Sequence, residues 1–160
     1  MREWESFMLA EVGAAGVLTG LIFIGVSISL SKILASPRLP NRALQALVLL
    51  LAPLVICSLL LVPGLPLVVY GVMVLGVGLL VWTAVTLLDL RSLRHAEIQF
   101  RRFLIGNFVM NQVTVLPYII AGIALLTSGI HGLYWVVPGV LFSLIKALLD
   151  AWVLLIEVHR

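Results

Sequence analysis

Two residues of opposite charge stand out as candidates for chemistry. Lys146 and Asp150 lie four residues apart in the otherwise apolar segment LFSLIKALLDAWVLL, residues 141–155. Residues four apart share one face of a helix and can form an ion pair there. One hypothesis is a self-neutralised pair that holds a helix bundle together. The other is a transport or proton-relay site, because charges inside membrane helices often mark such pathways. We favour the structural pair and keep the transport site as the alternative.

The composition indicates which solvent surrounds these charges. Of the 160 residues, 62% are apolar and only 11% are charged, and the mean hydropathy is +1.23. Soluble domains have about 45–50% apolar and about 25% charged residues. So few charges cannot cover so much apolar surface in water, which predicts an integral membrane protein. The length predicts a single domain over residues 1–160, with no room for a separate soluble catalytic module.

Five apolar stretches are long enough to cross a bilayer, which takes about 20 residues of helix. Their continuous apolar character does not alternate as the strands of a membrane barrel do. The sequence therefore predicts an all-α, polytopic transmembrane helix bundle. The predicted spans are residues 7–31, 43–62, 67–88, 103–127 and 133–157, with an amphipathic connector at residues 89–102 on the cytoplasmic side.

The basic residues separate sharply between the two sides of this five-span arrangement. Eight of the ten fall on one side, Arg2 is alone on the other, and Lys146 lies within the fifth span. The positive-inside rule assigns the eight-base side to the cytoplasm, which places the N-terminus outside and the C-terminus inside. The eight are Lys32, Arg38, Arg42, Arg91, Arg94, Arg101, Arg102 and Arg160.

Four of these bases, Arg91, Arg94, Arg101 and Arg102, belong to the predicted connector. A basic amphipathic helix on the inner leaflet gains about 1 kcal/mol per base from anionic lipid. We therefore expect anionic lipids of the inner leaflet as partners of this segment. A docking site for an unknown cytosolic protein is the alternative, and no nucleic acid is expected as a partner.

Helix geometry brings further polar residues to the depth of the Lys146–Asp150 pair. At 1.5 Å per residue, Lys146 lies near the middle of the fifth span. The fourth span runs in the opposite direction and places Asn111 level with Asp150. The predicted intramembrane cluster consists of Lys146, Asp150, Asn111, Asn107 and Gln112.

Glu11 is a candidate acid on the outer side. If the first span begins at Val12, Glu11 lies among the outer headgroups, which is the interpretation that we favour. If the helix begins earlier, Glu11 shares a face with Trp4, Phe7 and Met8.

Small residues predict where helices approach closely. Gly16 and Gly20 form a small-xxx-small step in the first span, and Gly71, Gly76 and Gly78 with Ala121–Gly122 repeat the theme in the third and fourth. In lipid, such residues let helix backbones pack closely. We expect them to pack helices within one chain, and a homo-oligomer interface is the alternative.

The motifs of common enzymes and metal sites are missing from the sequence. His95 and His159 are predicted on the cytoplasmic side and His131 on the outer side, so the three cannot bind one metal ion. The chain has no zinc-binding motif, nucleophile elbow or phosphate-binding glycine loop. We therefore expect a protein that is not an enzyme, with no catalytic residue, cofactor or metal.

Two segments resemble small bacterial multi-pass membrane proteins that are sometimes called modulators of FtsH protease. These are GAAGVLTGLIFIGVSISL at residues 13–30, followed by LPNRALQAL, and GLYWVVPGVLFSLIKALLDAWVLLIE at residues 132–157. The resemblance implies a bacterial inner (cytoplasmic) membrane and supplies no site residues. The first functional hypothesis is a non-enzymatic membrane protein acting through helix packing, lipid or a partner. The alternative is an oligomeric ion- or proton-coupled transporter or channel.

Overall fold

The computed structural model describes residues 2–35, 39–94 and 101–158, and helices make up nearly all of them. Of Arg2 and Val158, only the backbone is described. No strand occurs within these ranges, as expected for continuously apolar segments. The α-helices are α1 (Arg2–Ile28), α2 (Leu30–Ala35), α3 (Leu39–Leu60), α4 (Leu67–Arg94), α5 (Arg101–Thr127) and α6 (Val136–Val158), and a 3₁₀ helix (Gly129–Trp135) precedes α6.

Five helical segments are long and apolar enough to cross a membrane. They are α1, α3, α4, α5 and the 3₁₀ helix together with α6. The all-α class with five apolar helices is thereby confirmed, and each predicted span falls on one of these segments. The largest difference in bounds is at α4, which continues to Arg94, six residues beyond its predicted end.

The alternating helix directions gather the basic residues at one end of the bundle. The C-terminal ends of α1, α4 and α6 and the N-terminal ends of α3 and α5 lie there, and we call it the basic end. Its described bases include Arg42, Arg91, Arg94, Arg101 and Arg102. Arg38, Arg160, His95, His159 and connector residues 95–100 lie outside the described residues.

Helix α3 is central, since it packs against α1, α4 and α6, while α5 packs against α4 and α6. Glycines allow the closest of these approaches. A Cβ atom built on Gly122 of α5 would lie 2.7 Å from the Leu75 backbone of α4, and one built on Gly78 would lie 3.3 Å from the Tyr118 backbone. The prediction that glycines let helices of one chain pack closely is therefore confirmed at the contact between α4 and α5.

Other predicted packing glycines have no such role in this chain. A Cβ at Gly16 would meet only Leu54, at 3.9 Å, and one at Gly20 or Gly76 would have nothing within 4 Å. The small-xxx-small step of α1 therefore does not form a close contact within the described part of the bundle.

The structure around Asp89 contradicts the predicted start of the connector at residue 89. The sequence places Asp89 in a surface segment, but α4 continues through it and its side chain is buried. The pattern of α4 explains the difference, because Val81, Val85, Leu88 and Asp89 follow one another at helical spacing on the face that packs into the bundle.

Candidate functional site

The predicted pair of charges on α6 is present. The Lys146 ammonium donates a hydrogen bond to Oδ2 of Asp150 one turn along the helix. Only 6% of the Lys146 side chain and 4% of the Asp150 side chain are exposed. Both residues lie on the inner face of α6, in line with the buried residues Val140 and Ser143.

Arg42 of α3 extends this pair into a network between two helices. Its Nε atom lies 3.9 Å from Oδ1 of Asp150, and its Nη1 atom lies 3.5 Å from Oε1 of Glu157. Its guanidinium lies 5.3 Å from the ring centroid of Phe103 on α5, within the range of a cation–π interaction. Two cations and two anions therefore join α3 and α6, and Phe103 adds α5. We call Lys146, Asp150, Arg42 and Glu157 the ionic network.

A second network surrounds the buried carboxylate of Asp89. Gln45 of α3 donates to Oδ1 of Asp89 at 2.6 Å. Asn111 of α5 donates to both carboxylate oxygens, at 2.9 and 3.1 Å, and Asn107 donates more weakly at 3.5 Å. Hydrogen bonds from amides to a charged acceptor stabilise it, so this network ties α3, α4 and α5 together at the basic end.

The structure thus divides the predicted intramembrane cluster into three parts. Lys146 and Asp150 form the ionic network with Arg42, whereas Asn107 and Asn111 bind Asp89. Gln112 belongs to neither, because it accepts a hydrogen bond from Trp82 Nε1 at 2.6 Å and donates to Thr86 at 3.1 Å. Asn111 is buried, but it binds Asp89 of α4 and not the Lys146–Asp150 pair.

An open cleft between α5 and α6 borders Arg42, Lys146 and Asp150 of the ionic network. We call it the basic cleft, and its volume is about 480 Å³. Its lining residues are Arg42, Arg102, Phe103, Gly106, Asn107, Met110, Lys146, Leu149, Asp150 and Val153. Polar residues from the two helices therefore meet at one surface whose other walls are apolar.

A smaller cavity of about 120 Å³ adjoins the basic cleft. Arg42, Phe103 and Asn107 line both spaces, while Asp89, Gln45 and Glu157 line only the smaller one. Of the residues in the predicted intramembrane cluster, Asn107 therefore both borders the ionic network and binds Asp89.

The four bases of the predicted lipid-facing set differ in position. Arg91, Arg94, Arg101 and Arg102 are all exposed at the basic end. Of these, Arg102 lines the basic cleft. The neighbouring residue Arg101 is also exposed but does not line the cleft, which makes the two a matched pair for experiments.

Towards the opposite end, a packed layer closes the bundle above Lys146. Val136, Val140, Leu133 and Tyr118 are fully buried and belong to one hydrophobic cluster. A single polar contact lies within this layer, where the Tyr118 hydroxyl is 3.0 Å from Ser143 Oγ, less than one turn before Lys146 on α6. This layer therefore separates the basic cleft from the opposite end of the bundle.

Glu11 lies on the inward side of α1. The helix begins at Arg2, so Glu11 lies within it, as the alternative interpretation has it. The depth of Glu11 in a membrane stays a prediction. Trp4 and Phe7 pack against the core, and Met8 is part of it. Atom Oε2 of Glu11 is buried and has no hydrogen-bond partner among the described residues.

Several site residues escaped the sequence analysis. Arg42 and Glu157 counted only as end-of-helix charges, and Asp89 counted as part of a surface connector. Gln45 carried a usable signal, because it is a polar residue in the first turn of the predicted second span. Only the packing of α3 between α4 and α6 shows that these residues converge.

Comparison of the chain with protein-family models, curated proteins and solved structures finds no significant match. The resemblance to the FtsH-modulator group therefore stays a prediction, and the functional argument depends on the geometry of the site.

Proposed function

We propose that the protein is a non-enzymatic integral membrane protein that binds a ligand in the basic cleft, with the basic end in the cytoplasm. The observation that supports this is that three of the four residues of the ionic network line an open space. Lys146, Asp150 and Arg42 all line the cleft.

Charges inside a membrane bundle need partners that offset the cost of removing them from water. A charge at the centre of a membrane helix costs about 2.5–3.5 kcal/mol on insertion scales. A pair that only joins helices lowers this cost best when other side chains enclose it completely. Here the pair borders a cavity large enough for a small molecule or part of a lipid, which favours a binding site that also stabilises the bundle.

The accessibility of the cleft can be tested with introduced cysteines. The only native cysteine, Cys57, is fully buried, so the unmodified chain provides a low background. We expect Asn107→Cys in the cleft to react with small hydrophilic thiol reagents added at the basic end. Ser143→Cys is the matched control, because Ser143 lies just beyond the cleft in the packed layer and is fully buried.

The charge of the reagent adds a second readout. The cleft is lined by three cations and one anion, so an anionic methanethiosulfonate should modify Asn107→Cys faster than a cationic one of similar size. Equal protection of Asn107→Cys and Ser143→Cys would show that the cleft is closed in the membrane, and the proposed function would then be wrong.

A second candidate function, oligomeric ion- or proton-coupled transport, is favoured by a different observation. Polar groups continue beyond the cleft along the bundle, from Lys146 to the Ser143–Tyr118 contact. Glu11 also has a buried oxygen that lacks a hydrogen bond among the described residues. Such a series of polar groups is typical of proton relays in membrane proteins.

Transport would be detected as pH-dependent flux in proteoliposomes. For a carrier, we expect Lys146→Met combined with Asp150→Leu to stay folded and to abolish the flux. A wild-type protein without flux above empty liposomes would rule out this candidate and leave the binding function unaffected.

A further inference from the structure

We propose that the ligand of the basic cleft is an anionic phospholipid, whose phosphate lies between Arg42 and Arg102 and whose acyl chain follows the apolar wall. This inference rests on the proposed function and names the ligand class of the same site.

The charge balance at the cleft fits a ligand with one negative charge. Three cations line the cleft, namely Arg42, Arg102 and Lys146. Two acids oppose them, since Asp150 binds Lys146 and lies near Arg42, and Glu157 pairs with Arg42. Three cations and two anions leave one positive charge, which a phosphodiester with its single negative charge would neutralise. Neither Glu157 nor Asp89 lines the cleft. Glu157 is counted because it pairs with the lining cation Arg42, whereas amide donors hold the charge of Asp89.

The geometry of the donors fits a phosphate group. Guanidinium groups bind phosphate oxygens through paired N–H donors, and two of them lie at this cleft. Arg102 is exposed at the basic end, whereas Arg42 lies deeper and is held by Phe103. Asn107 borders the same space and offers a further polar group. A phosphate near the headgroup region would meet both arginines without having to pass the packed layer.

The remaining walls fit an acyl chain and distinguish a lipid from a soluble phosphate. Met110, Leu149 and Val153 line the cleft beside its polar floor. Met110 and Leu149 are each 52% exposed on the outer surface of helices that are apolar enough to face lipid. A soluble phosphate would leave this wall unused, whereas a phospholipid covers it with hydrocarbon and places its phosphate at the basic residues.

The test uses the full-length protein in mild detergent, with phosphatidylglycerol as the anionic probe and phosphatidylcholine as the zwitterionic one. Native mass spectrometry counts bound lipid, and a melting curve measures the stabilisation that binding provides. We expect phosphatidylglycerol to bind and to raise the melting temperature more than phosphatidylcholine does. Glycerol 3-phosphate at the same concentration should have no comparable effect.

Two variants and one control variant test whether the lipid binds in the basic cleft. Arg102→Gln should weaken phosphatidylglycerol binding about fivefold, the effect of losing one base that contributes about 1 kcal/mol near anionic lipid. Arg101→Gln is the matched control and should change binding less than twofold. Gly106→Leu should block the cleft without disturbing the fold, because a Cβ at Gly106 meets nothing within 4 Å.

Each contrary outcome has a distinct meaning. Equal effects of Arg101→Gln and Arg102→Gln, or undiminished lipid binding by Gly106→Leu, would show that the lipid binds elsewhere and would overturn the proposal. Stabilisation by glycerol 3-phosphate equal to that by phosphatidylglycerol would identify a soluble phosphate ligand instead. If Asn107→Cys is accessible but no lipid preference is found, the lipid assignment fails and the cleft remains a binding site for another ligand.

Discussion

The ionic network makes an asymmetric prediction about its two α6 residues. Asp150 interacts with two cations, Lys146 and Arg42, whereas the hydrogen bond that Lys146 donates goes to Asp150. Removing Asp150 leaves the buried Lys146 without its acid. Removing Lys146 leaves Asp150 with Arg42 at 3.9 Å. The two single substitutions should therefore differ in cost, although they break the same bond.

The expected losses in the free energy of unfolding depend on which charges each substitution leaves buried without a partner. For Asp150→Leu we expect a loss of about 3–5 kcal/mol in the free energy of unfolding, the usual cost of leaving a buried charge without its partner. For Lys146→Met we expect about 1.5–3 kcal/mol, the contribution of one hydrogen bond to a charged group. The double variant removes both charges and keeps the Arg42–Glu157 pair, so it should lie within about 1 kcal/mol of the wild type, because apolar replacement of a buried pair is often neutral.

The assay is equilibrium unfolding in mixed micelles, with the four proteins of this double-mutant cycle compared under one condition. The single losses should exceed that of the double variant, which gives a coupling energy of several kcal/mol. Additive losses would show that the two charges do not interact in the folded state. Equal single losses would show that Arg42 does not stabilise Asp150, and would refute the assignment of Arg42 to the network.

Three further predictions concern other parts of the bundle. Gly122→Val should lower stability by about 1–3 kcal/mol, since its Cβ would lie 2.7 Å from the backbone of α4, whereas Gly76→Val should have little effect; melting curves in detergent compare the two. Asp89→Asn should cost about 1.5–3 kcal/mol, because its amide donors lose their charged acceptor, and a melting point like that of the wild type would contradict this network. Reporter fusions at Arg160 and at Pro66 should score cytoplasmic and external respectively, and matching signals would contradict an odd number of membrane crossings.

The sequence alone predicted a membrane as the solvent and determined the all-α architecture with five long apolar helices. In a bilayer, continuous apolar stretches of about 20 residues with few charges are stable as helices whose backbone groups bond internally, so the number of long apolar helices was readable without any contact information. The bond between Lys146 and Asp150 was equally predictable, because spacing along one helix fixes which side chains are neighbours.

The tertiary structure decided everything that depends on contacts between different helices. Periodicity shows which face of α4 turns inward, but not that Asp89 faces Gln45 and Asn111, nor that Arg42 of α3 reaches Asp150. Depth arguments place residues at one level along the bundle but leave their rotation about the helix axis undetermined, so Asn111 and Gln112 were assigned to a cluster in which neither has its hydrogen bonds. The glycine contacts between α4 and α5 fix that rotation, and with it the cleft where the basic residues meet.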